Sequence, residues 1–191
     1  MEPAKRHTVL VVDDEIDVVE SLRDLLRFEH RVLGATRALD ALEILEREEV
    51  HVVLSDQRMP GMTGVEFLHE VRERHPRVVR VMFTGYADLR SVLDAINEGS
   101  VYRYITKPWD IDELMAILRA AVERYDLADE RRRLTAELQR KNADLERAAA
   151  ELAAASELKT MFIRVAGHEL RTPLTVQLGL DLLRVLGWYV A

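Results

Sequence analysis

The sequence predicts an α/β fold in which five parallel strands form a doubly wound sheet, followed by a long C-terminal α-helix. Three observations carry this prediction. Short apolar runs alternate with amphipathic stretches through the first 124 residues. All five runs are followed at once by a charged or hydroxyl residue. From Trp109 to Ala166 the chain then has neither proline nor glycine.

The apolar runs are residues 8–12, 31–35, 51–55, 79–83 and 102–106. They are rich in Val, Ile, Leu and Tyr, and short enough to be buried strands. Between them, apolar residues recur at helical spacing. Ile16, Val19, Leu22, Leu25 and Leu26 form one face; Val65, Leu68 and Val71 form a second; Leu89, Val92, Leu93 and Ile96 form a third. Five strand-then-helix units read as a parallel sheet covered on both faces. Right-handed crossovers make the doubly wound arrangement the leading choice. The segment MPGMTG (residues 59–64) is a turn signal, and Trp109 reads as packing at a helix start.

The proline-free stretch carries a heptad pattern. Leu127, Leu134, Ala148, Ala155 and Phe162 share one seam position, and Leu138, Leu145 and Leu152 the other. Arg131, Lys141 and Lys159 interrupt the seam. The pattern predicts a parallel coiled coil, and so a homodimer.

Composition narrows the function. With no cysteine, disulfides and thiolate metal sites are excluded. The N-terminal apolar run is too short for a signal peptide, and no segment approaches the roughly 18 apolar residues of a membrane span. A soluble, cytoplasmic protein is expected. The net charge of −7 falls on residues 1–124, while residues 125–191 are neutral, so neither part has the basic excess of a nucleic-acid binder. His7, His30, His51, His69 and His75 lack ligand-like spacing and read as surface or packing residues.

Doubly wound sheets bind ligands outside the carboxyl ends of their strands. Asp13 and Asp14 follow the first run, Asp56 the third, Thr84 the fourth and Lys107 the fifth. Clustered carboxylates repel one another unless a cation offsets them. Their hard oxygens suit Mg²⁺. An Asp carboxylate can act as a nucleophile and form an aspartyl-phosphate. A lysine ammonium can neutralise charge spread over phosphoryl oxygens, and a threonine hydroxyl can donate to one.

The motifs VVDDE, SDQRMPGMTG, FTGYA and YITKPW, in this order, resemble the receiver domain of bacterial response regulators over about residues 6–124. The resemblance implies a flavodoxin-like strand order 2-1-3-4-5. It implies Asp56 as phosphoacceptor and Asp13, Asp14, Asp56 and the Arg58 carbonyl as ligands of Mg²⁺. Lys107 would contact the phosphoryl group, with a cis bond to Pro108. Thr84 and Tyr104 would form a switch pair, and Arg58 and Tyr86 would tune hydrolysis. The implied partner is a sensor histidine kinase or phosphotransfer protein.

Further on, GHELRTPL is similar to the phosphoacceptor motif of histidine kinase dimerisation domains, over about residues 157–186. A histidine is a good phosphoryl acceptor at neutral pH, and a neighbouring Glu can orient it or take its proton. By this resemblance His168 accepts phosphate, Glu169 is its acid–base partner and Thr172 a phosphatase-type residue. Pro173 would kink the helix. No phosphate-cradling glycine loop is present, so ATP-driven autophosphorylation by this chain is not expected.

The organisation expected is a receiver domain over residues 1–124, a coiled-coil linker over 125–156 and a partial dimerisation helix over 157–191. The leading reading is a phosphorylation-driven switch coupled to a dimeric helix. The alternatives are a piece of a hybrid sensor kinase lacking its ATP-binding domain, and a coiled-coil scaffold whose receiver only docks.

Overall fold

A computed structural model describes residues 6–85, 94, 96, 97 and 99–187, with side chains as far as residue 166. The strands are β1 (Thr8–Val12), β2 (Arg31–Ala35), β3 (Val52–Asp56), β4 (Val79–Thr84) and β5 (Arg103–Thr106). The helices are α1 (Ile16–Leu26), α2 (Ala38–Arg47), α3 (Gly64–Arg74) and α4 (Ile111–Gly187). The five strands form one parallel sheet in the order β2-β1-β3-β4-β5, the flavodoxin-like order. The chain divides into two units, residues 1–133 and 134–191.

Strand side chains alternate between faces, so a strand covered on both sides is apolar throughout. β1 shows this directly. Leu10 and Val12 face one core cluster, where α2 and α3 contribute Ala41, Leu45, Phe67, Leu68 and Val71. Val9 and Val11 face the other, where α1 contributes Val19, Leu22 and Leu26 and α4 contributes Leu114, Leu118, Ala121 and Tyr125. At the sheet margins, β2 and β5 each begin with an exposed arginine, Arg31 and Arg103. A charged edge discourages pairing with another strand.

Local signals start two of the helices. Thr63 and Glu66 form a reciprocal capping box at α3. An Asp110 carboxylate oxygen accepts from the N–H groups of Asp112 and Glu113, which satisfies two free donors at the head of α4. The α1 face differs in one respect from the expectation. Val19, Leu22 and Leu26 are buried and Leu25 packs at the margin, but Ile16 is 54% exposed. It is the first residue of the helix, a turn short of the buried positions. Of the helical pattern near residue 90, Leu89, Val92 and Leu93 lie outside the described residues, while Ile96 packs against the first core cluster.

The second unit is the part of α4 from Leu134 onward. Its helical backbone continues through Pro173. Leu134, Leu138, Leu145, Leu152 and Phe162 are all exposed on it. No helix among the described residues is long and apolar enough to cross a membrane.

His30 precedes β2 and is buried, and neither ring nitrogen has a hydrogen-bond partner among the described residues. Burial lowers its pKa, Glu29 opposes this, and His7 adds to it. The fold therefore favours neutral imidazole. A histidine with a depressed folded pKa contributes stability above its unfolded value, about 6.5, and loses it as pH falls through the folded pKa. Urea unfolding at pH 7.5 and pH 5 should show a larger loss of midpoint for the wild type than for His30→Leu. Equal losses would place the acid sensitivity elsewhere.

Candidate functional site

Each residue singled out at a strand end, where described, lies at the carboxyl edge of the sheet. Asp13 follows β1 and is 1% exposed; Asp56 ends β3 and is 6% exposed; Thr84 ends β4 and is fully buried. Lys107 follows β5, and its bond to Pro108 is cis. Strand register sets these depths, because Asp56 pairs with Phe83 and Thr84 with Thr106 on adjacent strands.

The Lys107 ammonium joins the two acids. Its Nζ lies 2.8 Å from Asp13 Oδ2 and 2.6 Å from Asp56 Oδ1. Burial alone would lower the lysine pKa, but the hydrogen bonds and charges of Asp13 and Asp56 outweigh it and raise the pKa above its ordinary value. This contribution is present below the unfolded lysine value of about 10.4 and is lost as pH rises through the folded pKa. Lys107 is thus an ammonium throughout the neutral range. Its backbone N–H also donates to the Thr84 carbonyl at 2.8 Å.

Backbone donors hold the other carboxylate oxygens. The Glu15 N–H donates to Asp13 Oδ1 at 3.0 Å, and the Arg58 N–H donates to Asp56 Oδ2 at 2.5 Å. The Thr84 hydroxyl donates to the Gly85 carbonyl at 3.1 Å. Tyr104 is half-buried on β5 and packs against the first core cluster. Asp14 is exposed, and among the described residues no group of three or more histidine or acidic side chains forms a metal-binding constellation. Tyr86 lies outside the described residues, as do the side chains of His168, Glu169 and Thr172.

The structure gathers Asp13 and Asp56 on Lys107 and leaves Asp14 exposed, so it is the hard-oxygen chemistry of these carboxylates, rather than an assembled constellation, that suits a hard divalent cation. Asp13, Asp14 and Asp56 carry three negative charges against one on Lys107, and all the nearby ligands are oxygens.

Two supporting features escaped the sequence reading, and a third, Trp109, was read there as packing at a helix start. Gln57 clamps the start of α3: its carbonyl accepts from the Gly64 N–H at 3.0 Å, and its side-chain oxygen from the Val65 N–H at 3.1 Å. A glutamine after an acid gives no sequence signal for this. Gly64 lies so close to β3 that an added Cβ would sit 2.2 Å from the Asp56 carbonyl oxygen. In sequence it was only part of a turn signal. Trp109 packs its ring against Phe83 with centroids 4.9 Å apart, and Lys107 Nζ lies 5.9 Å from the Trp109 centroid.

Comparison with known proteins gives a consistent result. A family model described as "Response regulator receiver domain" matches residues 9–119. The Hydrogenase transcriptional regulatory protein HoxA of Cupriavidus necator is 48% identical over 129 residues, which is 68% of this chain and 27% of that protein. The DNA-binding transcriptional regulator NtrC of Escherichia coli is 33% identical over 133 residues, 67% of this chain and 27% of that protein. The chain therefore spans about a quarter of the length of these curated relatives. Among solved structures, the signal receiver domain of an HD domain-containing protein from Pseudomonas fluorescens matches with a TM-score of 0.64 at 35% identity, covering 69% of this chain and 97% of that one.

Gly64→Ala should destabilise the protein by at least about 2 kcal/mol, because backbone rather than a flexible side chain blocks the new methyl group. Urea denaturation measures it. A loss below about 0.5 kcal/mol, the usual range of a neutral surface change, would show that the approach relaxes freely.

Proposed function

The chain belongs to the response regulator receiver domain family of two-component systems, and from that premise we propose that Asp56 accepts a phosphoryl group from the phosphohistidine of a sensor kinase or phosphotransfer protein. The observation that supports this best is the Lys107 ammonium bonded at once to buried Asp13 and Asp56. An Asp56 carboxylate oxygen attacks phosphorus, the phosphorus–nitrogen bond of the donor breaks, and the donor imidazole keeps the bonding pair. The Lys107 ammonium turns toward a phosphoryl oxygen and neutralises charge that grows there. The Arg58 N–H holds the carboxylate in orientation. Asp13, Asp14, Asp56 and the Arg58 carbonyl would hold Mg²⁺, which when bound supplies further neutralisation of the phosphoryl oxygens.

The buried Thr84 hydroxyl exchanges its bond to the Gly85 carbonyl for one to a phosphoryl oxygen. Tyr104 then repacks on the same edge of the sheet. The change reaches α4, whose first turns pack on the second core cluster through Leu114 and Leu118. A ligand or modification shifts only an equilibrium whose two states it distinguishes. The equilibrium proposed is pairing of α4 with a second copy of the chain, through the exposed heptad leucines.

Incubation with Mg²⁺ and a small acyl-phosphate donor, followed by intact mass, tests the first step. The wild type and His168→Ala should each gain one phosphoryl group, and Asp56→Ala none. No gain by folded wild type would leave a domain that only docks. A gain lost in His168→Ala would instead point to a relay through that residue.

Sedimentation tests the second. The wild type should be a dimer, and Leu138→Asp with Leu145→Asp should weaken association at least about tenfold. A monomeric wild type, phosphorylated or not, would remove the dimeric output.

A further inference from the structure

Trp109 has no part in the phosphoryl transfer proposed for Asp56, yet its ring stands beside the ammonium at the centre of that site. Lys107 and Trp109 flank Pro108 in the segment that joins β5 to α4. Lys107 Nζ lies over the Trp109 ring, 5.9 Å from its centroid. The same ring packs against Phe83, tilted by 38° with centroids 4.9 Å apart. Phe83 is fully buried on β4, and its strand neighbours are Asp56 on β3 and Ile105 on β5. The half-buried indole is therefore seated on the layer of the sheet that carries Asp56.

The ammonium needs a fixed surface on that side. The Lys107 side chain is 27% exposed, against 1% for Asp13 and 9% for Asp56. Two of its three N–H donors go to the acids, which draw the head inward. An ammonium is compact, strongly hydrated and carried on a flexible four-carbon stem. Once an Asp56 oxygen bonds to phosphorus, that carboxylate no longer holds the head by its full charge. Nζ must then follow the phosphoryl group rather than turn out to water. An indole face attracts a cation within about 6 Å and offers it no competing hydrogen-bond acceptor. Phe83 braces the ring, so the attraction has a fixed place.

We infer that Trp109 is a positioning residue for phosphoryl transfer to Asp56. Its indole keeps the Lys107 ammonium at the carboxyl edge while one of its bonds passes from a carboxylate to a phosphoryl oxygen. Trp109 touches no reacting atom and acts through Lys107. The inference rests on Asp56 as the phosphoacceptor.

The test times phosphoryl uptake by intact mass in the full chain, with Mg²⁺ and a small acyl phosphate as the probe, across a range of donor concentrations. In each transfer the phosphorus–oxygen bond of the donor breaks, an Asp56 oxygen bonds to phosphorus, and the donor leaves as a carboxylate. Trp109→Phe keeps a ring face and should stay within about twofold of the wild-type limiting rate. Trp109→Leu, similar in volume to that variant but without a ring, should fall at least about fivefold, with the half-saturating donor concentration unmoved. In a Lys107→Gln background Trp109→Leu should cause no further loss, because the ammonium it acts through is gone. Equal rates for Trp109→Phe and Trp109→Leu, a change confined to the half-saturating concentration, or the full loss repeated in the Lys107→Gln background would each overturn the inference and leave Asp56 as the phosphoacceptor. No uptake by folded wild type would overturn both. If Lys107→Gln takes up no phosphoryl group, the comparison of Trp109→Phe with Trp109→Leu decides alone; if Trp109→Leu fails to fold, Trp109→Met replaces it.

Discussion

One ammonium between two buried carboxylates is the constraint on which the site depends. Without Lys107, Asp13 and Asp56 would face each other with backbone N–H donors but no bridging cation. Removing one member of such a buried group costs far more than a surface ion pair contributes. Three strands must end at matched depths for the contact to form. The parallel register from β1 through β3 and β4 to β5 sets those depths, and the two apolar clusters hold the register. The chemistry at the edge is thus a product of packing in the middle.

Much of this was legible in the sequence, for physical reasons. Buried parallel strands must be apolar on both faces, so they stand out as short runs. Charged residues directly after such runs fall on the carboxyl edge whatever the loops do. Asp13, Asp56, Thr84 and Lys107 were therefore readable one by one, and topology brought them together. Gln57 and Gly64 were not, because their roles depend on how closely α3 approaches β3, and no local spacing encodes that distance. The exposure of Ile16 was missed for a related reason: helical periodicity gives a face but not where the covering sheet stops.

The two edges of the sheet contrast. The carboxyl edge gathers acids around a single lysine, whereas arginines line a cleft toward the amino ends of β4 and β5. Histidines also collect at the amino edge. His51 is buried, accepts from the Thr8 N–H, and meets the rings of His7 and Tyr125 edge-on. His7 in turn bonds to Asp126, so β1, β3 and α4 are tied by polar as well as apolar contacts. α4 therefore starts from a fixed base.

The contact of Trp109 with Phe83, beside Lys107, has an optical consequence. Indole emission responds to nearby charge and to ring packing, and this indole lies two residues beyond the ammonium that binds both acids. The chain has two tryptophans, Trp109 and Trp188. With Trp188 replaced by phenylalanine, the protein would carry a single indole, excitable apart from its five tyrosines, next to its own chemistry. Events at the acidic edge could then be timed in solution by emission alone, without a label.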